Sequence, residues 1–120
     1  MGNRHFKAGD LFDINPRGDH MPVSQSQTKR QPLFVLGRLV ATPGALDVMT
    51  HAGQTPADFL ARHQRGDWGE CCEEDARKNE LSVNQGFRIL SVYRTCKGEK
   101  LWVITEADRS ITTLLLPSDY

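Results

Sequence analysis

The chain predicts an α+β fold of two or three short helices followed by a three-stranded antiparallel β-meander, with an extra edge strand over residues 33–40. Three observations carry this. Two Thr-Pro pairs, Thr42-Pro43 and Thr55-Pro56, each precede apolar residues at helical spacing and a closing glycine. Three later runs, near residues 87–95, 100–106 and 110–116, are rich in β-formers and separated by short polar turns. At 120 residues the chain suits one domain with one ordinary core. Sequential strands with short turns pair as a meander, against which helices bury their apolar faces.

Residues 1–31 differ from the rest. They carry Asp10, Asp13, Asn15, Pro16, Gly18, Asp19 and Pro22, then a polar stretch over residues 24–31, a composition that favours turns and extended chain. Phe6, Leu11, Phe12 and Ile14 are its apolar anchors. This reads as a polar N-terminal arm and linker, and residues 32–120 as a single α+β domain.

The run Leu33-Phe34-Val35-Leu36, continued by Leu39-Val40 after Gly37 and Arg38, has the character of a short buried strand. Thr42 then caps a helix with Pro43 at its first position. Ala45, Leu46 and Met49 share its inner face, and Gly53 stops it. The second helix starts at Thr55-Pro56, turns Phe59, Leu60 and His63 to one side, and ends at Gly66. Asp67-Trp68-Gly69 is a turn holding a large aromatic. A third helix is expected from about residue 70 to 83, with Cys72, Ala76 and Leu81 inward, closed by Asn84-Gln85-Gly86. In the meander, alternation sets Phe87, Ile89, Ser91, Tyr93 and Thr95 opposite Arg88, Leu90, Val92 and Arg94. It also sets Leu101, Val103 and Thr105 opposite Trp102, Ile104 and Glu106. Lys97-Gly98 and Ala107-Asp108-Arg109 make the turns, and Pro117 ends the last strand.

Charge and cysteine usage exclude several function classes. Fifteen basic residues balance fifteen acidic ones, so the formal net charge is zero and the broad basic surface of a nucleic-acid binder is not indicated. An acidic DNA mimic is disfavoured by the same balance. The three cysteines, Cys71, Cys72 and Cys96, are odd in number and two are adjacent, which suits neither a disulfide framework nor zinc ligation. Reduced thiols point to the cytoplasm. No apolar run nears the ~20 residues that cross a bilayer, and the N-terminus lacks the apolar core of a secretory signal. His5, His20, His51 and His63 show no ligand spacing, and no phosphate-binding glycine loop occurs. The expectation is no metal, no cofactor and no membrane contact.

Two polar groupings remain. Arg88, Tyr93, Thr105, Glu106, Asp108, Arg109 and Thr112 surround the meander, but alternation keeps Arg88 and Tyr93 on opposite faces. The turn at residues 105–110 reads as a capped turn, with Asp108 accepting main-chain N–H groups and Arg109 meeting a carboxylate. Arg62-His63-Gln64-Arg65-Gly66-Asp67-Trp68 reads as a surface helix end, with His51 and His63 placed to complement helix dipoles.

The stretch from Val35 to Tyr120 resembles a group of small proteins carried on bacterial plasmids and integrative elements. The resemblance rests on Ala-Thr-Pro-Gly-Ala-Leu at 41–46, on Arg-His-Gln-Arg-Gly-Asp-Trp-Gly at 62–69, and on Leu-Trp-Val-Ile-Thr-Glu-Ala-Asp-Arg-Ser at 101–110 with Thr-Thr-Leu-Leu-Leu-Pro at 112–117. The group carries no activity to transfer, and the resemblance implies a context: a bacterial cytoplasm and a mobile element. In that context the expected function is a non-catalytic binding protein that inhibits a host defence nuclease complex, in the manner of anti-CRISPR or anti-restriction proteins. Its partner would be a protein, anchored by Arg65, Trp68, Trp102, Asp108 and Arg109. The alternative is a small ribonuclease or toxin of a toxin–antitoxin pair, with His63, Arg88, Glu106 and Arg109 acting on RNA. The two differ in convergence, because an enzyme needs these groups around one cleft and a binder does not.

Overall fold

Each Thr-Pro pair opens a helix, and the three β-rich runs each form a strand. The structure, a computed structural model, describes residues 11–14 and 32–120. In chain order its elements are β1 (Phe12–Asp13), β2 (Arg38–Ala41), α1 (Pro43–Ala52), α2 (Pro56–Gln64), α3 (Glu73–Gln85), β3 (Ile89–Arg94), β4 (Lys100–Thr105) and β5 (Ile111–Leu115), closed by a 3-10 turn at Pro117–Asp119. The expected arm lies outside the described residues except at positions 11–14, where β1 pairs antiparallel with β2.

The α+β class holds, but the sheet is larger than a meander. It has five strands in the order β1-β2-β5-β4-β3. β3, β4 and β5 are the expected antiparallel neighbours, while β2 joins β5 in parallel. The strand expected over residues 33–40 is therefore corrected twice: it occupies Arg38–Ala41, and it lies inside the sheet between β1 and β5. Gly37 is the reason for the shift. Its φ of +69° suits glycine, and a Cβ there would overlap the main chain at Arg109 and Ser110. The chain bends at that point, so Phe34 and Leu36 turn into the core instead of extending the strand.

Local chemistry sets the helix ends. The Thr42 hydroxyl accepts the N–H of Ala45 at 3.1 Å, and Thr55 and Asp58 form a capping box. Gly53 and Gly86 end α1 and α3 in left-handed conformations. α1 and α2 bury Ala45, Met49, Phe59 and Leu60 against Ala41, Tyr93, Leu101, Val103 and Leu114 of the sheet, forming the main core. Phe34, Trp68 and Ile89 form a second cluster beside it, with Ala76 and Val83 of α3 packed on its edge. α3 departs from the expected pattern. It begins at Glu73, Cys72 is its exposed cap, Leu81 is 56% exposed, and its buried residues are Asn79 and Ser82.

The outer edge of β3 is closed by side chain and loop rather than by a strand. Asn79 Nδ2 donates to the Leu90 carbonyl at 2.7 Å and its Oδ1 accepts the Leu90 N–H at 3.1 Å, so one amide imitates a strand neighbour. Two residues on, Val92 donates to the Trp68 carbonyl and accepts from Glu70 N–H, flanking a parallel bridge between Gly69 and Val92. Such covering blunts an edge that would otherwise pair with another chain. Gly69 is required there, because its φ is +74° and a Cβ would overlap the Val92 carbonyl oxygen. Gly69→Ala is expected to cost about 2–3 kcal/mol in denaturant unfolding. Gly98→Ala, at a similar φ of +88° but facing open space, should cost about 1 kcal/mol.

Candidate functional site

Sheet pleating places the hydroxyls of Ser91, Thr105 and Thr112 on the face that α2 covers, because they alternate in phase with Ile89, Tyr93, Leu101, Val103 and Leu114. Thr105 and Thr112 are direct cross-strand partners. His63, one residue from the end of α2, enters this group fully buried. Its Nδ1 lies 2.6 Å from Ser91 Oγ, and its Nε2 lies 2.9 Å from Thr105 Oγ1. Thr105 Oγ1 lies 2.7 Å from Thr112 Oγ1, which donates to the Leu36 carbonyl at 2.7 Å.

The carbonyl at the end of this chain fixes every proton in it. Thr112 spends its hydroxyl hydrogen on Leu36, so Thr105 must donate to Thr112. Thr105 then has none left for the ring, so His63 Nε2 carries the hydrogen and donates to Thr105. The neutral ring accepts at Nδ1 from Ser91. Each member is satisfied, as a buried polar network requires.

The surroundings hold the ring neutral. Phe34 meets it edge-on at 5.2 Å between centroids, and Trp68 does so at 6.1 Å. Burial, with a smaller effect from the positive charge of Arg109, pushes the His63 pKa down to about 3. His63 was expected at a helix end near solvent; the structure instead makes it the polar centre of the core.

Arg109 lies over Phe34, its guanidinium carbon 5.5 Å from the ring centroid. It adopts a left-handed φ of +61° and donates to four main-chain carbonyls: Ser82 at 2.7 Å, Phe87 at 2.8 Å, Glu106 at 3.1 Å and Ala107 at 3.2 Å. The carboxylate expected to meet it is replaced by these carbonyls, one of them near the C-terminal end of α3, where a cation is favoured. Glu106 therefore faces Arg109 with its carbonyl and not its carboxylate. Asp108 is exposed and accepts the Ser110 N–H at 3.0 Å, the capped turn that its spacing suggested.

The remaining candidates are dispersed. Arg88 is exposed and lies over the Tyr120 ring, donating to its hydroxyl. Trp102, half-buried, meets the same ring at 5.6 Å. Arg65 is exposed and bonds the Ala61 carbonyl. Trp68 is only 6% exposed and donates from Nε1 to Glu80 at 2.9 Å. Tyr93 is buried, donates to the Asp67 carbonyl at 2.6 Å and lies under Arg62, which also pairs with the Asp67 carboxylate and holds it below its usual pKa. So His63 and Arg109 both contact the Phe34 ring, while Arg88 stands apart over Tyr120.

Sequence reading overlooked Ser91, Asn79 and the Leu36 carbonyl as members of these networks. The available signal was a hydroxyl at an inward strand position among large apolar neighbours, as at Ser91 between Ile89 and Tyr93. Among the described residues no cluster of three or more His, Cys, Asp or Glu side chains could hold a metal ion, and no helix is long and apolar enough to cross a membrane. No family model matches the chain, and no curated protein or solved structure matches it either.

Proposed function

We propose that this chain is a non-catalytic binding protein that works through its outer surface. One observation carries the reading: among the described residues, His63 and Arg109, the pair that the enzyme reading most needs, are engaged by the fold itself. Both ring nitrogens of His63 are engaged in a fully buried chain, and Arg109 donates to four carbonyls. A general acid or base needs a free face toward substrate, and a phosphate-binding arginine needs free donors.

Exposure redistributes the anchors. Trp68 supports the core, so a partner meets its backbone surroundings and not its ring. Arg65 and Asp108 stay available, and Val35 at 66%, Phe87 at 57% and Leu81 at 56% exposure join them. Arg109 ties together the segments bearing those three, through Ser82, Phe87 and the Phe34 ring. Its role in binding is then to hold the surface in shape. The resemblance to mobile-element proteins directs the search for a partner to host defence nuclease complexes.

The test is a pull-down of tagged protein from bacterial lysate, with and without nuclease treatment. A stoichiometric protein partner that survives nuclease and is lost with Val35→Asp or Phe87→Asp, both still folded by circular dichroism, supports the reading. RNA in the untreated eluate, or degraded RNA with no protein partner, overturns it in favour of the ribonuclease.

A further inference from the structure

α1 and α2 are fastened by apolar side chains, Ala45 and Met49 in one and Phe59 and Leu60 in the other. α3 is fastened differently. Its buried residues are Asn79 and Ser82, and its apolar contribution is the half-buried pair Ala76 and Val83. What holds it is a set of polar links: Asn79 to both main-chain groups of Leu90, Glu80 to the Trp68 indole, and the Ser82 carbonyl to Arg109. Each link is replaced by water when the helix lifts, so each resists opening far less than buried apolar surface does. Elements held mainly by such bonds open below the global unfolding free energy.

The loop before α3 is anchored independently. The Asp67 carbonyl accepts from Tyr93 at 2.6 Å, its carboxylate pairs with Arg62 at 2.8 Å, and Glu70 pairs with Arg94 at 3.1 Å. Gly69 lies against Val92 in a main-chain bridge. The Leu90 N–H therefore depends on α3, its carbonyl is shared by Asn79 and the Cys71 thiol of the loop at 3.3 Å, and Val92 depends on the loop.

We infer that α3 is a detachable cover that lifts from Leu90 and the Trp68–Ile89 cluster while the rest of the fold, including the loop on Val92, stays closed. Lifting frees the N–H of Leu90, leaves its carbonyl to the Cys71 thiol, and uncovers the apolar side of that cluster.

Native-state hydrogen exchange, resolved by amide, tests this in the wild-type protein. The Leu90 amide and the interior amides of α3 should exchange about tenfold or more faster than Val92 and the central strand β4, and with one shared denaturant dependence. Asn79→Ala should lower protection in α3 about tenfold further and leave β4 nearly unchanged. Equal protection at Leu90 and Val92 in the wild type overturns the inference, as does an equal fall across α3 and β4 in the variant. The wild-type comparison stands by itself if the variant does not fold.

Discussion

Replacing His63 with alanine is expected to lower folding stability by about 3–5 kcal/mol. Two costs add. The ring fills space beside the stacked pair Phe34 and Trp68 that the surroundings cannot close, since both aromatics are fixed by their own contacts. The Ser91 hydroxyl loses its acceptor in a site with no exposure, leaving a buried donor unpaired. Thr105 keeps its bond to Thr112, so the damage is centred on the Ser91 end of the chain. Against a typical total of about 5–15 kcal/mol, this is a large fraction, and the Tm should fall by roughly 10–20 °C. Thermal and denaturant unfolding of the two proteins check it. The result also separates the two functional readings. A histidine serving as a general acid or base could be removed with little loss of stability, whereas one that joins α2 to two strands cannot.

Signals confined to neighbouring residues were legible in the sequence. Thr42-Pro43 with Gly53, and Thr55-Pro56 with Gly66, marked α1 and α2 because capping is settled within one helical turn. β-formers marked β3, β4 and β5, and alternation sorted the faces of β3 and β4 correctly, since the strand period does not depend on what lies opposite. The position of β2 was not legible. Its choice of a parallel place beside β5 depends on a crossover through three helices and two strands, and on the close approach of Gly37 to residues 109–110. The inner face of α3 was misjudged for a related reason. Leu81 looked like the inward residue by hydropathy, but Asn79 is turned inward because it serves the main chain of Leu90, eleven residues away. Polar groups that satisfy distant backbone carry no periodic signature.

The candidate site shows the same limit. Thr105, Arg109 and Thr112 were noticed as polar, and so were Arg88 and Glu106, but sequence treats all of them as equally available. Only packing distinguishes a donor used up on carbonyls from one that faces solvent. Arg109 and Arg65 are equivalent by composition, yet one stitches four main-chain carbonyls while the other holds a single carbonyl at the surface. The proposed binding reading rests on this contrast between donors spent on main chain and side chains left at the surface.

Acid should destabilise the wild-type protein through His63, in a pH range where few other groups act. His63 is a base whose folded pKa of about 3 lies below its ordinary value of 6.5. Between those values the unfolded chain binds a proton that the folded one refuses, so stability falls as the pH falls. The full contribution is present above about pH 6.5, and no more is lost below about pH 3. The expected loss is about 2 kcal/mol between pH 7 and 5, rising to about 3 kcal/mol at pH 4. Carboxylates act lower: Asp67, held down by its bond to Arg62, and Asp108, held down by Ser110, protonate in the unfolded chain only near 3.8. The interval from about pH 4.5 to 6.5 therefore reports on the histidine. His63→Gln, which cannot take up the proton, should be less stable at neutral pH but should lose little further stability across that interval. Urea unfolding at pH 7, 6 and 5 provides the comparison. Equally small losses in the two proteins would mean that the ring accepts a proton inside the fold, with the Ser91 hydroxyl turned to accept from Nδ1.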